Sequence, residues 1–327
     1  MNYRQLGNTE LRVSEVSFGT WAIGGSWGRS SDEEALKGLQ RAIEEGVNFF
    51  DTADVYGAGH AEELLAKATR GQEDRIHVAT KFCRAGDIHD PGTYSEKEVR
   101  RYCEDSLKRL QRERIDLYQI HCPPLAVLKD GSVFEVLDKL QQEGKIRHYG
   151  VSVETVEEGQ FCLGVPGLKA LQVIFNLFRQ KPAVELFPAA KEAGVGILAR
   201  LPLASGLLTG KFTESTTFEA DDHRSFNANG EQFNVGETFA GLPFPRGVEL
   251  AGELAWIAEG RFTMAQAAMR WILEDANVTC VIPGFKNVRQ VEDNLRAADA
   301  RAFSAEELER LRSFYRDSVA SHIRGPY

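Results

Sequence analysis

Eight short apolar runs, separated by longer segments whose apolar residues recur at helical spacing, dominate this sequence. The runs are Val16–Phe18, Val47–Phe50, Ile76–Ala79, Ile115–Ile120, Ile146–Val151, Leu171–Phe175, Val195–Ala199 and Thr279–Ile282. Most are rich in Val, Ile and Phe, as strands buried on both faces are. Between them, Leu36, Leu39 and Ile43 share a face after Asp32, and Val99, Cys103, Leu107 and Leu110 do so after Ser95. Ser95 with Glu98 has capping-box spacing, and Ser304 with Glu307 repeats it before Leu308, Leu311 and Phe314. Strand–helix repetition predicts a parallel sheet, and eight units predict closure into a (β/α)8 (TIM) barrel rather than an open doubly wound sheet.

At 327 residues, length alone would suggest two domains, although one α/β barrel reaches this size. No tandem repeat, low-complexity block or Gly/Ser linker divides the chain, so the expectation is one barrel domain over residues 1–327. The long irregular stretch from about Thr209 to Arg246, after the seventh strand, predicts a lid over a site. A C-terminal helical extension follows the eighth unit.

The 48 acidic residues exceed the 39 Lys and Arg, giving a formal net charge of −9. That argues against a nucleic-acid partner, which needs a basic footprint. No run of about 18 apolar residues is present to span a membrane, and Arg4, Glu10, Arg12 and Glu15 occupy the place of a signal peptide's apolar stretch. Five scattered cysteines (Cys83, Cys103, Cys122, Cys162, Cys280) without C-x-x-C spacing predict free thiols and a cytoplasmic location.

In a barrel, chemistry gathers where strands end. The second strand ends at Asp51, with Tyr56 in the adjoining loop; the third ends at Lys81 and the fourth at His121. The fifth ends at Ser152, the seventh at Arg200, the eighth runs into Pro283-Gly284, and polar Gln172 interrupts the sixth. Asp51 could merely cap a helix, Lys81 be a surface charge, Tyr56 a loop aromatic and His121 a satisfied core histidine. Four polar groups at one edge of three successive strands would then be four separate desolvation penalties. Together they make chemical sense. A phenol titrates near pH 10, and a neighbouring ammonium stabilises its anion. Lys81 could do this for Tyr56 while Asp51 keeps Lys81 charged and His121 hydrogen-bonds a carbonyl oxygen.

Other motifs are weaker. Gly57-Ala58-Gly59-His60-Ala61-Glu62 has Glu where a dinucleotide fingerprint needs its third Gly. Gly206-Leu207-Leu208-Thr209-Gly210-Lys211-Phe212 is one residue short of a phosphate loop and lacks its Ser/Thr. Asp221-Asp222-His223 reads as a solvated polar cluster, and no metal site is expected. No helical His pair or Gly-x-Ser-x-Gly elbow supports a hydrolase; a metal-dependent barrel hydrolase built on His121 is the weakest reading.

The stretch Asn48-Phe49-Phe50-Asp51-Thr52-Ala53-Asp54-Val55-Tyr56-Gly57, with Glu62-Glu63-Leu64-Leu65, closely resembles the aldo-keto reductase signature. So does Arg109-Leu110 followed by Ile115-Asp116-Leu117-Tyr118-Gln119-Ile120-His121. Further likenesses are Gly19-Thr20-Trp21, Gly144-Lys145-Ile146-Arg147 through Gly150-Val151-Ser152, Pro202 to Lys211, and Ile282-Pro283-Gly284. They span nearly the whole chain in the family's order. The longer stretches look most like the bacterial general-stress and inositol-operon branch and share features with potassium-channel β subunits.

This resemblance implies reversible, NADPH-dependent reduction of an aldehyde or ketone to an alcohol, with NADH a second cofactor to consider. It implies Tyr56 as proton donor, Lys81 and Asp51 as its tuning pair and His121 as the carbonyl-orienting residue. It places Gly19, Thr20 and Trp21 at the cofactor and substrate pocket, and Ser152 and Gln172 at the nicotinamide carboxamide. Pro202, Leu203, Ser205, Gly206 and Lys211 would follow the pyrophosphate. Gly284, Lys286, Gln290, Asp293 and Asn294 would surround the adenosine end. Val153 replaces an Asn common in the family, and Arg200 stands where many members carry an aromatic that stacks on the nicotinamide; Arg200 is expected to contact the cofactor, since a guanidinium can stack on a π-face or reach a phosphate. Gly284, Phe285 and Gln290 replace the usual 2′-phosphate grip, leaving that pairing to Lys286 with Arg289. The partner expected is a small carbonyl or alcohol substrate, with oligomeric state open. The channel-subunit likeness implies the alternative, a cofactor-binding, redox-sensing regulatory subunit with slow or no turnover.

Overall fold

The computed structural model describes residues 1–25, 27 and 31–327. The chain opens with strands β1 (Tyr3–Gln5) and β2 (Arg12–Ser14), which pair antiparallel. Eight parallel strands follow: β3 (Phe18–Gly19), β4 (Phe49–Asp51), β5 (His77–Phe82), β6 (Ile115–His121), β7 (Ile146–Ser152), β8 (Leu168–Ile174), β9 (Gly196–Arg200) and β10 (Val278–Val281). Each pairs with its sequence neighbour, and bridges Val16↔Val281 and Gly19↔Gly284 join the first of the eight to the last. The predicted (β/α)8 barrel is the observed fold.

The helices are α1 (Asp32–Glu44), α2 (His60–Thr69), α3 (Glu96–Leu110), α4 (Leu125–Asp130), α5 (Ser132–Gln142), α6 (Val156–Cys162), α7 (Lys181–Glu185), α8 (Phe187–Glu192), α9 (His223–Phe226), α10 (Phe244–Glu253), α11 (Met264–Glu274), α12 (Val288–Leu295) and α13 (Ala305–Phe314). Their apolar stripes and the outer strand faces make the main core, which includes Leu39, Leu64, Val99, Leu107, Leu137 and Phe187. A second cluster fills the barrel itself: Phe49, Ala79, Leu117, Ala170, Leu198 and Cys280 stack on Leu6, Leu11 and Val13 of the hairpin. That hairpin, which the apolar-run reading left out, therefore plugs the floor, and the main cavity lies toward the strands' C-terminal ends.

One predicted cap differs. Ser95 precedes α3 but makes no side-chain cap; its hydroxyl donates to the Gly92 carbonyl instead, inside the turn Pro91–Tyr94. The Ser304–Glu307 box is present, and two further boxes, Thr155–Glu158 and Thr263–Gln266, start α6 and α11. All five cysteines are buried and free. Among the described residues, no helix is long and apolar enough to cross a membrane.

Candidate active site

Several strands turn at the barrel mouth through strained backbone. Cys83 (φ 89°), Cys122 (φ 54°) and Leu201 (φ 54°) each follow a strand end and take the left-handed conformation, which disfavours side chains bearing a Cβ and clusters at functional sites. Gly57 (φ 61°) lies so close to Gly24 that a Cβ there would fall 2.3 Å from the Gly24 carbonyl oxygen. Its lack of a side chain lets the loop carrying Tyr56 press against the segment carrying Trp21.

At the centre, the Lys81 ammonium lies 2.6 Å from Asp51 Oδ2 and donates to the Thr52 carbonyl (2.8 Å) and to Tyr56 Oη (3.2 Å). Asp51 Oδ1 accepts from Gln119 (3.2 Å) and Gln172 (2.8 Å), so both carboxylate oxygens are engaged. The His121 ring meets the Tyr56 ring edge-on, centroids 5.9 Å apart, and Trp21 stacks on Tyr56 at 6.0 Å. The structure brings Asp51, Tyr56, Lys81 and His121 together at one spot. Burial works against the Lys81 ammonium, but Asp51 and then Tyr56 outweigh it and hold Lys81 above its ordinary value. Burial pushes the Tyr56 phenol up, and Lys81 pulls only partly back. Proximity of the ammonium alone therefore does not make the phenol more acid than usual, which sharpens the expectation from sequence. His121 is driven well below its usual value by burial and then by Arg84, Lys81 and Arg200. It stays a neutral imidazole; its Nδ1 is buried without a partner, leaving Nε2 as the nitrogen to reach a ligand.

Asp51, Tyr56, His121 and Trp21 line a cavity of about 1060 Å³ that also takes in Gly19, Gln172, Arg200, Pro202, Leu203, Ser205, Gly206, Lys211, Gly284, Lys286, Gln290, Asp293 and Asn294, while Lys81 is fully buried behind Asp51 and Tyr56. Thr20 and Ser152 do not line it; both are fully buried, and the Ser152 hydroxyl accepts from Cys122 Sγ at 3.4 Å. Ser205 lines the cavity, but its hydroxyl is spent on the long loop, donating to the Glu237 carbonyl and accepting from the Phe239 amide, both at 3.1 Å. Gln290 fastens its own turn, its amide oxygen accepting from the Lys286 backbone at 2.7 Å. Asn294 likewise donates to the Gly284 carbonyl at 3.1 Å. Lys286 Nζ donates to the carbonyl of Trp27, and desolvation then Arg224 press it below the usual lysine value.

Sequence reasoning passed over a second charged group in this cavity. Arg84, three residues beyond Lys81, contacts Glu154 Oε1 (3.0 Å) and Glu237 Oε1 (2.8 Å). Arg200 lies 3.6 Å from the same Glu237 oxygen, and Asn234 donates to Glu154 Oε2 (2.8 Å). Although burial works against the Glu237 carboxylate, Arg84 and Arg200 hold it down to about 2, while burial and Glu237 push Glu154 up to about 7. Ligand atoms of Cys122, Glu154 and Glu237 lie within 4.8 Å of one another, a spacing a metal could bridge. The two guanidinium groups already supply the positive charge there.

The long loop folds over the mouth as predicted. Phe233 packs on Trp21 (6.1 Å), and His223 packs on Trp21 and Trp27 (4.8 and 4.3 Å). The tail braces this loop from behind and does not line the cavity. Arg324 donates to the carbonyls of Gly241 (2.9 Å), Ala228 (3.0 Å) and Leu242 (3.2 Å) and to Asn229 Oδ1 (2.9 Å). Arg179 packs beneath Gly236 and against the Tyr327 ring (4.1 Å), donating to the Pro326 carbonyl.

The barrel is matched by comparison with known proteins. The aldo/keto reductase family profile matches residues 15–316. The aldo-keto reductase YhdN of Bacillus subtilis is 32% identical over 299 residues, covering 89% of this chain and 87% of its own. A probable voltage-gated potassium channel subunit beta from Arabidopsis thaliana is 29% identical, covering 91% and 92%. Among solved structures, the glycerol dehydrogenase of Gluconobacter oxydans superposes with TM-score 0.77 at 31% identity, covering 99% of this chain and 97% of its own. An aldo-keto reductase from Bacillus halodurans does so with TM-score 0.76 at 26% identity, covering 96% of each. The chain belongs to the aldo/keto reductase family. It is an NAD(P)H-dependent oxidoreductase.

Proposed function

We propose that this protein is a cytoplasmic reductase that converts a small aldehyde or ketone to its alcohol with NADPH, reversibly, using Tyr56 as proton donor. The observation that carries the reading is the Lys81 ammonium, placed between Asp51 at 2.6 Å and Tyr56 Oη at 3.2 Å beside a neutral His121. The cavity's composition suits an elongated dinucleotide. Lys211, Arg224 and Lys286 are among its lining residues and could meet phosphates, although Arg224 is also paired with Asp222. Gln172 keeps its amide oxygen for a carboxamide N–H, since its nitrogen is held by Asp51. Lys286 is the cation assigned to a 2′-phosphate, which makes NADPH the preferred cofactor and NADH the weaker one.

When bound, the cofactor supplies a hydride to the carbonyl carbon. His121 and Tyr56 would hydrogen-bond the carbonyl oxygen from two directions and so fix its orientation. As charge gathers on that oxygen, the Tyr56 hydroxyl donates its proton and Lys81 stabilises the phenolate left behind. Asp51 holds Lys81 charged and aimed. Trp21, Trp27 and Phe233 would exclude water from the reacting centre.

Tyr56→Phe tests the reading. Turnover should fall at least a thousandfold while NADPH binding, followed by protein fluorescence, persists; a fully active variant would sink the mechanism. Steady NADPH oxidation beyond one equivalent would separate an enzyme from a regulatory subunit that reports redox state once per cofactor.

A further inference from the structure

Four charged side chains, Arg84, Glu154, Arg200 and Glu237, form a wall beside the catalytic cluster; apart from Arg200, expected at the cofactor, the proposed reaction gives them no role. The wall adjoins the reacting centre. Arg84 and Arg200 are both among the charges acting on His121, and Arg84 packs over Phe233 (5.9 Å), which touches Trp21, which stacks on Tyr56. Unpaired, two guanidinium groups in a desolvated pocket would be a receptor for a carboxylate. They are not unpaired. Glu237, side chain 4% exposed, contacts both arginines, and Arg84 is also taken by Glu154. Both Glu154 oxygens are occupied, by Arg84 and by Asn234.

Resting on the reductase reading, we propose that Glu237, assisted by Glu154, restricts this site to carbonyl substrates without a negative charge. The two carboxylates consume the charge of Arg84 and Arg200. A substrate carboxylate entering here would lose its hydration, meet guanidinium groups already neutralised, and lie near Glu154. The specificity is therefore exclusion of anions by a built-in counter-charge. The residue that sets it comes from the long loop, not from a barrel strand.

The test compares butanal with 4-oxobutanoate, aldehydes of similar size that differ by one carboxylate, at pH 8 with saturating NADPH. Wild type should favour butanal at least tenfold in kcat/KM. Glu237→Gln should shift that ratio at least tenfold toward 4-oxobutanoate, mainly through KM, and Glu154→Gln should shift it less in the same direction. Glu154→Gln also serves if Glu237→Gln fails to fold. Butanoate binding, read by tryptophan quenching, should be absent in wild type and reach millimolar affinity in Glu237→Gln. Preference of the wild type for 4-oxobutanoate, or an unchanged ratio in the folded variants, overturns the proposal. If neither aldehyde is turned over, the butanoate measurement alone decides the wall, and the reductase reading is decided separately by NADPH oxidation with other carbonyls.

Discussion

The two ends of the cavity handle charge in opposite ways. At the reacting end every cation is matched by a buried carboxylate: Lys81 by Asp51, and Arg84 and Arg200 by Glu237 with Glu154. At the other end, Arg224 is paired with Asp222 at 2.5 Å, but Lys286 is held by a backbone carbonyl rather than by a carboxylate. Neutralised charges can orient a group without capturing an anion; charges left over can capture one. A single pocket thus separates positioning a neutral reactant from gripping phosphates, although the whole chain carries a net charge of −9.

The comparison can be broken most severely at its tightest pair. Lys81→Met should leave Asp51 buried beside two amide donors with no counter-ion. A loss of about 3–5 kcal/mol in urea unfolding, with turnover lost as well, is the expected result; a stability unchanged from wild type would mean that the pair is not the anchor described. Asp54, two residues before Tyr56, provides the opposite case, a buried carboxylate with neither oxygen hydrogen-bonded. Burial first, then Glu62, pushes it up to about 7. As pH rises from about 4 to 7 the unfolded chain ionises this group and the folded one does not, so its contribution to stability falls across that window. Asp54→Asn should therefore stabilise the protein at pH 8, on the order of 4 kcal/mol, and leave it little changed at pH 4; equal effects at both pH values in thermal melts would contradict this. A smaller effect is expected at the phosphate end. Lys286→Ala should weaken NADPH binding about tenfold and NADH less, and added salt should narrow the gap between wild type and variant. Equal losses for both cofactors would move the 2′-phosphate elsewhere.

What the sequence revealed of this division follows from burial. β6 is buried at all seven positions, so its apolar run stands out and His121 can be read directly as its end. β1 is three residues with an exposed–intermediate–exposed pattern, which carries no apolar signal. The four residues proposed as catalytic were legible because each lies at or just after a strand end. Arg84 and Glu154 nearly obey the same rule, three residues past Lys81 and two past Ser152, but apolar residues separate them from the polar strand-end residues at which the pattern stops. Glu237 had no local signal. It is far in sequence from Arg84, and its meaning exists only once the loop has folded over the mouth. Ser95 shows the limit of spacing as evidence, because its hydroxyl found a nearer acceptor at Gly92.

The bracing of the loop has a consequence in time. Arg324 reaches back 95 residues to Asn229. At about 5–20 residues per second of synthesis, a ribosome would make Asn229 roughly 5–20 s before supplying the arginine that secures it. The eighth strand, β10, is made within that interval, so the barrel can close before its cover is fastened, and competence to exclude water from the proposed reacting centre would be among the last properties this protein acquires.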